Sequence, residues 1–163
     1  MKSITITGKM HPGFDKILTE EAQEFLLKLH QKFNSTRKTL LEQRKEIHQK
    51  ILAGQKPTFL KETESVRKGD WQVAPIPEDL QDRRCEITGP AEAKMMINAL
   101  NSGATIYMTD LEDSNTPNWF NQIQGQANMS AVYERTLEFT SPVGKEYRLN
   151  DGELATLILR PRG

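Results

Sequence analysis

Two polar clusters stand where apolar stretches give way to charge. Ala104-Thr105-Ile106-Tyr107-Met108-Thr109 runs into Asp110-Leu111-Glu112-Asp113, and the apolar run 155–159 ends in Arg160-Pro161-Arg162. Carboxylates so placed can bind Mg²⁺, directly or through its waters. Asp110 and Glu112 are two apart and share a face if the strand continues. Arginine offers a fixed fork of donors suited to a carboxylate or a developing enolate oxygen, and it does so without titrating. If both runs are parallel strands of one sheet, three carboxylates and two guanidinium groups meet at its carboxyl edge. Barrels and open α/β sheets build active sites there, because loops at that edge vary without disturbing the core. The chemistry indicated is an anionic small substrate or a carbanion-like intermediate. A structural reading stands beside it: Asp113 or Ser114 caps a helix beginning near Pro117, and Asp110 pairs with Arg160 as a plain ion pair. By itself D-x-E-D is a weak signal.

The elements that must position these groups follow from periodicity. Arg84 to Thr88 reads as a short strand closed by Gly89-Pro90, and Ala91 to Leu100 as a helix with Ala93, Met96, Ile97 and Leu100 on one face. With the strand at 104–109 this is a βαβ unit, which implies a parallel sheet. Pro117 to Gln126 reads as a helix. Leu137 to Thr140 and Lys145 to Leu149, around Ser141-Pro142-Val143-Gly144, read as a hairpin outside the sheet. Residues 155–159 are a third buried strand.

The first half reads differently. Thr19-Glu20-Glu21 caps a helix carrying Phe25, Leu26, Leu29 and Phe33. Asn34-Ser35-Thr36 interrupts that pattern and caps a second helix bearing Leu40, Leu41, Ile47, Ile51 and Leu52, which Gly54 stops. The expected result is an antiparallel pair. Residues 55 to 80 are broken by Pro57, Gly69, Pro75 and Pro77. Their Phe59, Leu60, Trp71, Val73 and Ile76 read as an extended segment packed along another domain.

Composition excludes several classes. Lys and Arg number 22, as do Asp and Glu, so no net positive field draws nucleic acid or an anionic membrane. No apolar run is long enough to span a bilayer, and Met1 to Lys9 lack a signal-peptide core. The lone Cys85 cannot form an internal disulfide and reads as a small buried hydrophobe in a reducing compartment. His11, His30 and His48 have no zinc spacing and read as surface or packing residues, as Trp71 and Trp119 read as packing residues.

The same residues carry a resemblance. Asp70-Trp71-Gln72-Val73-Ala74-Pro75-Ile76-Pro77, the stretch from Leu80 to Pro90, Lys94 to Asn101, Met108 to Asp113 and Leu159 to Gly163 together resemble the malate synthases of the isoform A type. Residues 1–69 match more loosely, mainly at Phe59-Leu60-Lys61-Glu62-Thr63. The resemblance implies an acyltransferase of the glyoxylate cycle that condenses acetyl-CoA with glyoxylate and hydrolyses the thioester to malate and CoA. It implies an α/β fold: an amino-terminal helical clasp over residues 1–80, then over 81–163 the first βα units of a TIM (β/α)8 barrel with a small hairpin insertion. Arg160 aligns with the arginine that stabilises the enolate. Asp110, Glu112 and Asp113 match an acidic strand end near the Mg²⁺, in its second shell. Thr109 and Leu111 depart mildly from the family pattern there. The base and both direct metal ligands fall beyond Gly163, so the remainder of the barrel is expected to be needed and this chain to be inactive by itself. A cytoplasmic location, or a peroxisome or glyoxysome in a eukaryote, is expected.

Two other readings compete. One is a citrate-lyase-type or aldehyde-lyase barrel enzyme acting on CoA thioesters or 2-oxo acids, which also uses acids and an arginine at strand ends. The other is a non-catalytic helical binding module with a small α/β half.

Overall fold

The computed structural model describes residues 3–161, so Arg162, the second guanidinium of the sequence reading, lies outside the described residues. In chain order the elements are α1 (Phe14–Ile17), α2 (Glu20–Leu52), α3 (Glu64–Lys68), β1 (Glu86–Pro90), α4 (Ala93–Leu100), β2 (Ile106–Asp110), α5 (Trp119–Tyr133), β3 (Glu138–Thr140), β4 (Glu146–Arg148) and β5 (Thr156–Arg160). They fall into two compact units. Among the described residues one holds 3–5 and Glu20–Pro75; the other holds Ile6–Thr19 and 76–161.

In the first unit the expected pair of antiparallel helices is instead one continuous helix, α2, of 33 residues. The polar triplet does not break it, and the Asn34 side chain and the Ser35 carbonyl find partners along the same helix. Asn34 Oδ1 accepts from Arg37 Nε at 3.1 Å and Nη2 at 2.9 Å, and Thr39 Oγ1 donates to the Ser35 carbonyl at 3.2 Å. Each of these residues costs at most about 0.7 kcal/mol of helix propensity, too little to force a turn. Gly54 does end the helix. At φ 96° its N–H reaches the Ile51 carbonyl, while Gln55 N–H reaches Lys50, the paired bonds of a Schellman cap. No residue of α2 is buried, and Phe25, Phe33, Leu40 and Ile47 stand exposed. The segment after it is irregular apart from α3 and single 3₁₀ turns at Lys61–Thr63 and Glu78–Leu80. Its Phe59, Leu60, Trp71, Val73 and Ile76 are exposed among the described residues. Trp71 donates its indole N–H to the Val66 carbonyl at 2.9 Å.

In the second unit β1, α4 and β2 form the βαβ unit, and β5 adds on the far side of β2 in a parallel sheet of order β1-β2-β5. Strand alternation sorts the faces. Ile87, Tyr107 and Leu157 share the face that packs with Met96, Ile97 and Leu100 of α4. Burying each such side chain contributes about 1.5–3 kcal/mol. The opposite face carries Thr88, Met108 and Ile158, and ends in Pro90, Asp110 and Arg160. The hairpin β3-β4 is a separate antiparallel sheet, with Leu137 and Leu149 at its base entering the core.

α5 runs well past Gln126 because two residues that look unfavourable in a helix serve tertiary contacts. A Cβ on Gly125 would lie 2.8 Å from Ala91 Cβ and 2.9 Å from Leu111 Cδ2, so only glycine lets the helix approach this closely. Asn128 is buried and donates to the Ala91 carbonyl at 2.9 Å. The segment before α2 closes on the start of α5. Trp119 Nε1 donates to the Lys9 carbonyl, and His11 packs against Phe14 and Phe120 with ring centroids 5.2 and 4.9 Å apart.

Candidate active site

The polar ends of β2 and β5 meet. Asp110 and Arg160 are register partners on adjacent parallel strands, and the ladder continues one step beyond them through Leu111 N–H to the Arg160 carbonyl at 3.1 Å. Both side chains therefore rise from the same face at the carboxyl edge of the sheet. Arg160 Nε donates to Asp110 Oδ1 at 2.9 Å, and its Nη2 donates to Oδ2. The loop then turns back over the carboxylate: Glu112 N–H donates to Oδ1 at 2.8 Å and Ser114 N–H to Oδ2 at 2.9 Å. Arg160 Nη1 faces Asp113 Oδ2 at 2.9 Å and Glu112 Oε2 at 3.7 Å.

Burial grades these groups. Asp110 has no exposed surface, and the side chain of Arg160 is 33 % exposed, those of Glu112 and Asp113 40 % and 74 %. The Arg160 guanidinium holds the Asp110 carboxyl far below the usual carboxylate range; burial opposes this, and the two backbone donors reinforce it. Hydrogen bonding to Asp110 in turn raises Arg160 above its ordinary value, so the guanidinium stays charged. Such a cation can hold an anionic oxygen in place without exchanging protons with it.

The loop 111–116 is itself fastened by α5. Gln122 Nε2 donates to the Leu111 carbonyl at 3.0 Å and Asn121 Nδ2 to the Thr116 carbonyl at 3.1 Å. The cap of α5 is Asn118, whose Oδ1 accepts from Asn121 N–H at 2.8 Å, and not Asp113 or Ser114. Asp113 is thus released from a capping role and turned to Arg160. Beneath the site Tyr107 donates to the Pro90 carbonyl at 2.9 Å, and burial pushes its hydroxyl up to about 12. A cleft of about 660 Å³ lies beside the loop, lined by Ala91, Ser114, Asn115, Phe120, Gln124 and Phe139 among others. Asn115 Nδ2 is buried without a hydrogen-bond partner.

All four candidate residues, Asp110, Glu112, Asp113 and Arg160, are brought together. Sequence reasoning missed Ser114 as a donor to Asp110, although an aspartate bonding backbone N–H groups two and four residues ahead is a common local turn. Cys85 is exposed, not a buried hydrophobe. It precedes β1, and its carbonyl accepts from Thr105 N–H and Oγ1. Among the described residues no group of three or more His, Cys, Asp or Glu side chains is placed to hold a metal ion, and no helix is long and apolar enough to cross a membrane.

Comparison with known proteins bears on the same residues. The sequence model of the family described as "Malate synthase, N-terminal domain" matches residues 2–65. A malate synthase of Myxococcus xanthus is 49 % identical over 160 residues, covering 98 % of this chain and 29 % of the relative. Malate synthase A of Escherichia coli is 46 % identical over 148 residues, covering 91 % of this chain and 28 % of its own length. A glyoxysomal malate synthase of Gossypium hirsutum is 41 % identical over 163 residues, with coverage of 99 % and 29 %. The chain thus spans under a third of the relatives it matches. Over nearly its whole length the chain is similar to part of the malate synthases, and its residues 2–65 match that family's amino-terminal domain.

Proposed function

We propose that the protein carrying this chain is an acyltransferase that condenses acetyl-CoA with glyoxylate and hydrolyses the thioester to release malate and CoA, as in the glyoxylate cycle. The observation that supports it most is a charged, part-exposed guanidinium fixed at the carboxyl edge of a parallel sheet beside three carboxylates. A thioester α-proton is weakly acidic, so its removal needs oriented positive charge where the enolate oxygen forms. In our reading Arg160 supplies that charge through the N–H groups that Asp110 does not use. The sheet β1-β2-β5 is read as the opening of a TIM barrel, and its second face, with Thr88, Met108 and Ile158, as part of the barrel interior.

The described residues do not fit a magnesium site by themselves. Asp110 spends both oxygens on four donors, and only Glu112 and Asp113 remain nearby, both turned to Arg160. Mg²⁺ stays a proposal for the complete protein, resting on the resemblance alone. Location in the cytoplasm, or in an organelle such as the one named for the plant relatives, is proposed on the same footing.

The test is to incubate the full-length protein with acetyl-CoA, with and without glyoxylate, and to follow free CoA thiol and malate. Glyoxylate-dependent release of both is expected. The 163-residue chain alone should give neither. Cleavage of acetyl-CoA that ignores glyoxylate would contradict the proposal.

A further inference from the structure

Among the four site residues Asp110 is unlike the others. It alone is fully buried, and its acceptor capacity is exhausted. A carboxylate has about four lone-pair positions. Here Oδ1 receives Glu112 N–H and Arg160 Nε–H, and Oδ2 receives Ser114 N–H and Arg160 Nη2–H. No position remains for a metal ion, a metal-bound water or a substrate proton. A proton acceptor in catalysis needs both a free lone pair and an accessible one, and Asp110 has neither.

What Asp110 does control is the orientation of Arg160. It takes the side fork of the guanidinium, Nε and Nη2, in a bidentate grip, and it is itself gripped by two backbone N–H groups from its own loop. Backbone donors cannot swing away as a side chain can. Guanidinium has five N–H donors, and two are spent on Asp110, so three remain on Nη1 and the outer side of Nη2. Their present partners are Asp113 and Glu112, part-exposed groups at 2.9 and 3.7 Å whose exposed ion pairs are individually weak, about 0–1 kcal/mol.

We infer that Asp110 is a positioning residue: it locks the Arg160 fork through Nε and Nη2, leaving the Nη1 end to exchange Asp113 and Glu112 for an anionic oxygen of the substrate. This rests on the proposed condensation reaction for the identity of the oxygen, but the grip itself is a property of the fold. It separates the acidic cluster into two functions. Asp110 sets direction, while Glu112 and Asp113 occupy the Nη1 end until the substrate arrives.

The experiment is a double-mutant cycle in the full-length protein, with CoA release measured for wild type, Asp110→Asn, Arg160→Lys and the double variant. Asp110→Asn keeps the shape but puts an N–H₂ against existing donors. It is expected to lower kcat about 100-fold, the scale of a misplaced catalytic group, with KM for acetyl-CoA changed by less than about threefold. Adding it to Arg160→Lys should cost nothing further, because it acts through Arg160. Asp110→Glu, which keeps the charge but lengthens the reach, serves if the asparagine variant does not fold and should also lower kcat. Turnover by either variant within about threefold of wild type, or losses that multiply in the double variant, would overturn the inference. A second arm reads the grip without the reaction: in nitrogen-15 arginine spectra of the wild-type protein, the Arg160 Nε–H should exchange slowly with solvent. Fast exchange overturns the inference. A wild-type protein that shows slow exchange but no glyoxylate-dependent CoA release would overturn the reaction and leave the grip standing.

Discussion

Asp110 and Arg160 lie 50 residues apart in sequence, yet they stand opposite one another on neighbouring parallel strands and are joined through Nε and Nη2. The sheet topology makes the pairing unavoidable. β2 and β5 are parallel and in register from Ile106 opposite Thr156, so their last residues must meet at the same edge and on the same face. Neither side chain needs a loop to find the other.

The pair sets a specific acid sensitivity. The folded Asp110 pKa lies below that of an unfolded aspartate, so its stabilising contribution is complete above the unfolded value, about 3.9, and is lost as pH falls through the folded value. Thermal unfolding of wild type should show a melting temperature that falls steeply in this acid range. Asp110→Asn should melt lower at pH 7 and show a shallower fall. The difference between the two curves is the quantity to read, because Asp82, held near 2 by its bonds to Arg84, titrates in the same window. Parallel curves would contradict the assignment.

Removing the cation should harm folding as well as chemistry. Arg160→Ala leaves the buried Asp110 with the Glu112 and Ser114 donors and no cation, and breaking this part-buried ion pair costs up to about 3 kcal/mol. Arg160→Lys keeps the charge and should be destabilised less. Chemical denaturation of both variants checks the order.

α5 should resist any side chain at Gly125. A methyl group there would meet Ala91 Cβ at 2.8 Å and Leu111 Cδ2 at 2.9 Å, and overpacking of this kind costs about 1–3 kcal/mol. Leu111 sits between Asp110 and Glu112, so Gly125→Ala should lower the melting temperature and also reduce turnover of the full-length protein. An unchanged melting temperature would show that the approach is looser than described.

The continuity of α2 is open to a backbone test. In one unbroken helix, Ser35→Pro removes an interior bond and costs about 3 kcal/mol, with loss of helical circular dichroism. At the first turn of a separate second helix the same proline would be tolerated. Asn34→Ala should keep or raise helicity.

Much of this architecture was legible because it is written in short-range patterns. The βαβ unit, the third strand and the outlying hairpin all showed in alternation and turn residues, and with parallel strands assumed, the meeting of Asp110 with Arg160 followed. The misses have a common cause: side chains whose partners are not visible locally. Asn34-Ser35-Thr36 looks like a helix boundary until the bonds from Arg37 to Asn34 and from Thr39 to the Ser35 carbonyl are known. Gly125 and Asn128 look like helix enders until Ala91 is placed against them. Phe14 is fully buried, but nothing in its short, irregular surroundings marks it as core. The apolar residues Phe25, Phe33, Leu40 and Ile47 of α2 are exposed in the described chain.

In the proposed reaction Arg160 carries the positive charge on which enolate formation depends. The most direct measurement is kcat for glyoxylate-dependent CoA release by the full-length protein and by Arg160→Lys, which keeps a charge but loses the fork. A fall of about 100- to 1,000-fold, the scale of losing an oriented donor to a developing oxyanion, is expected with the protein still folded. Turnover by the lysine variant within about threefold of wild type would contradict the account.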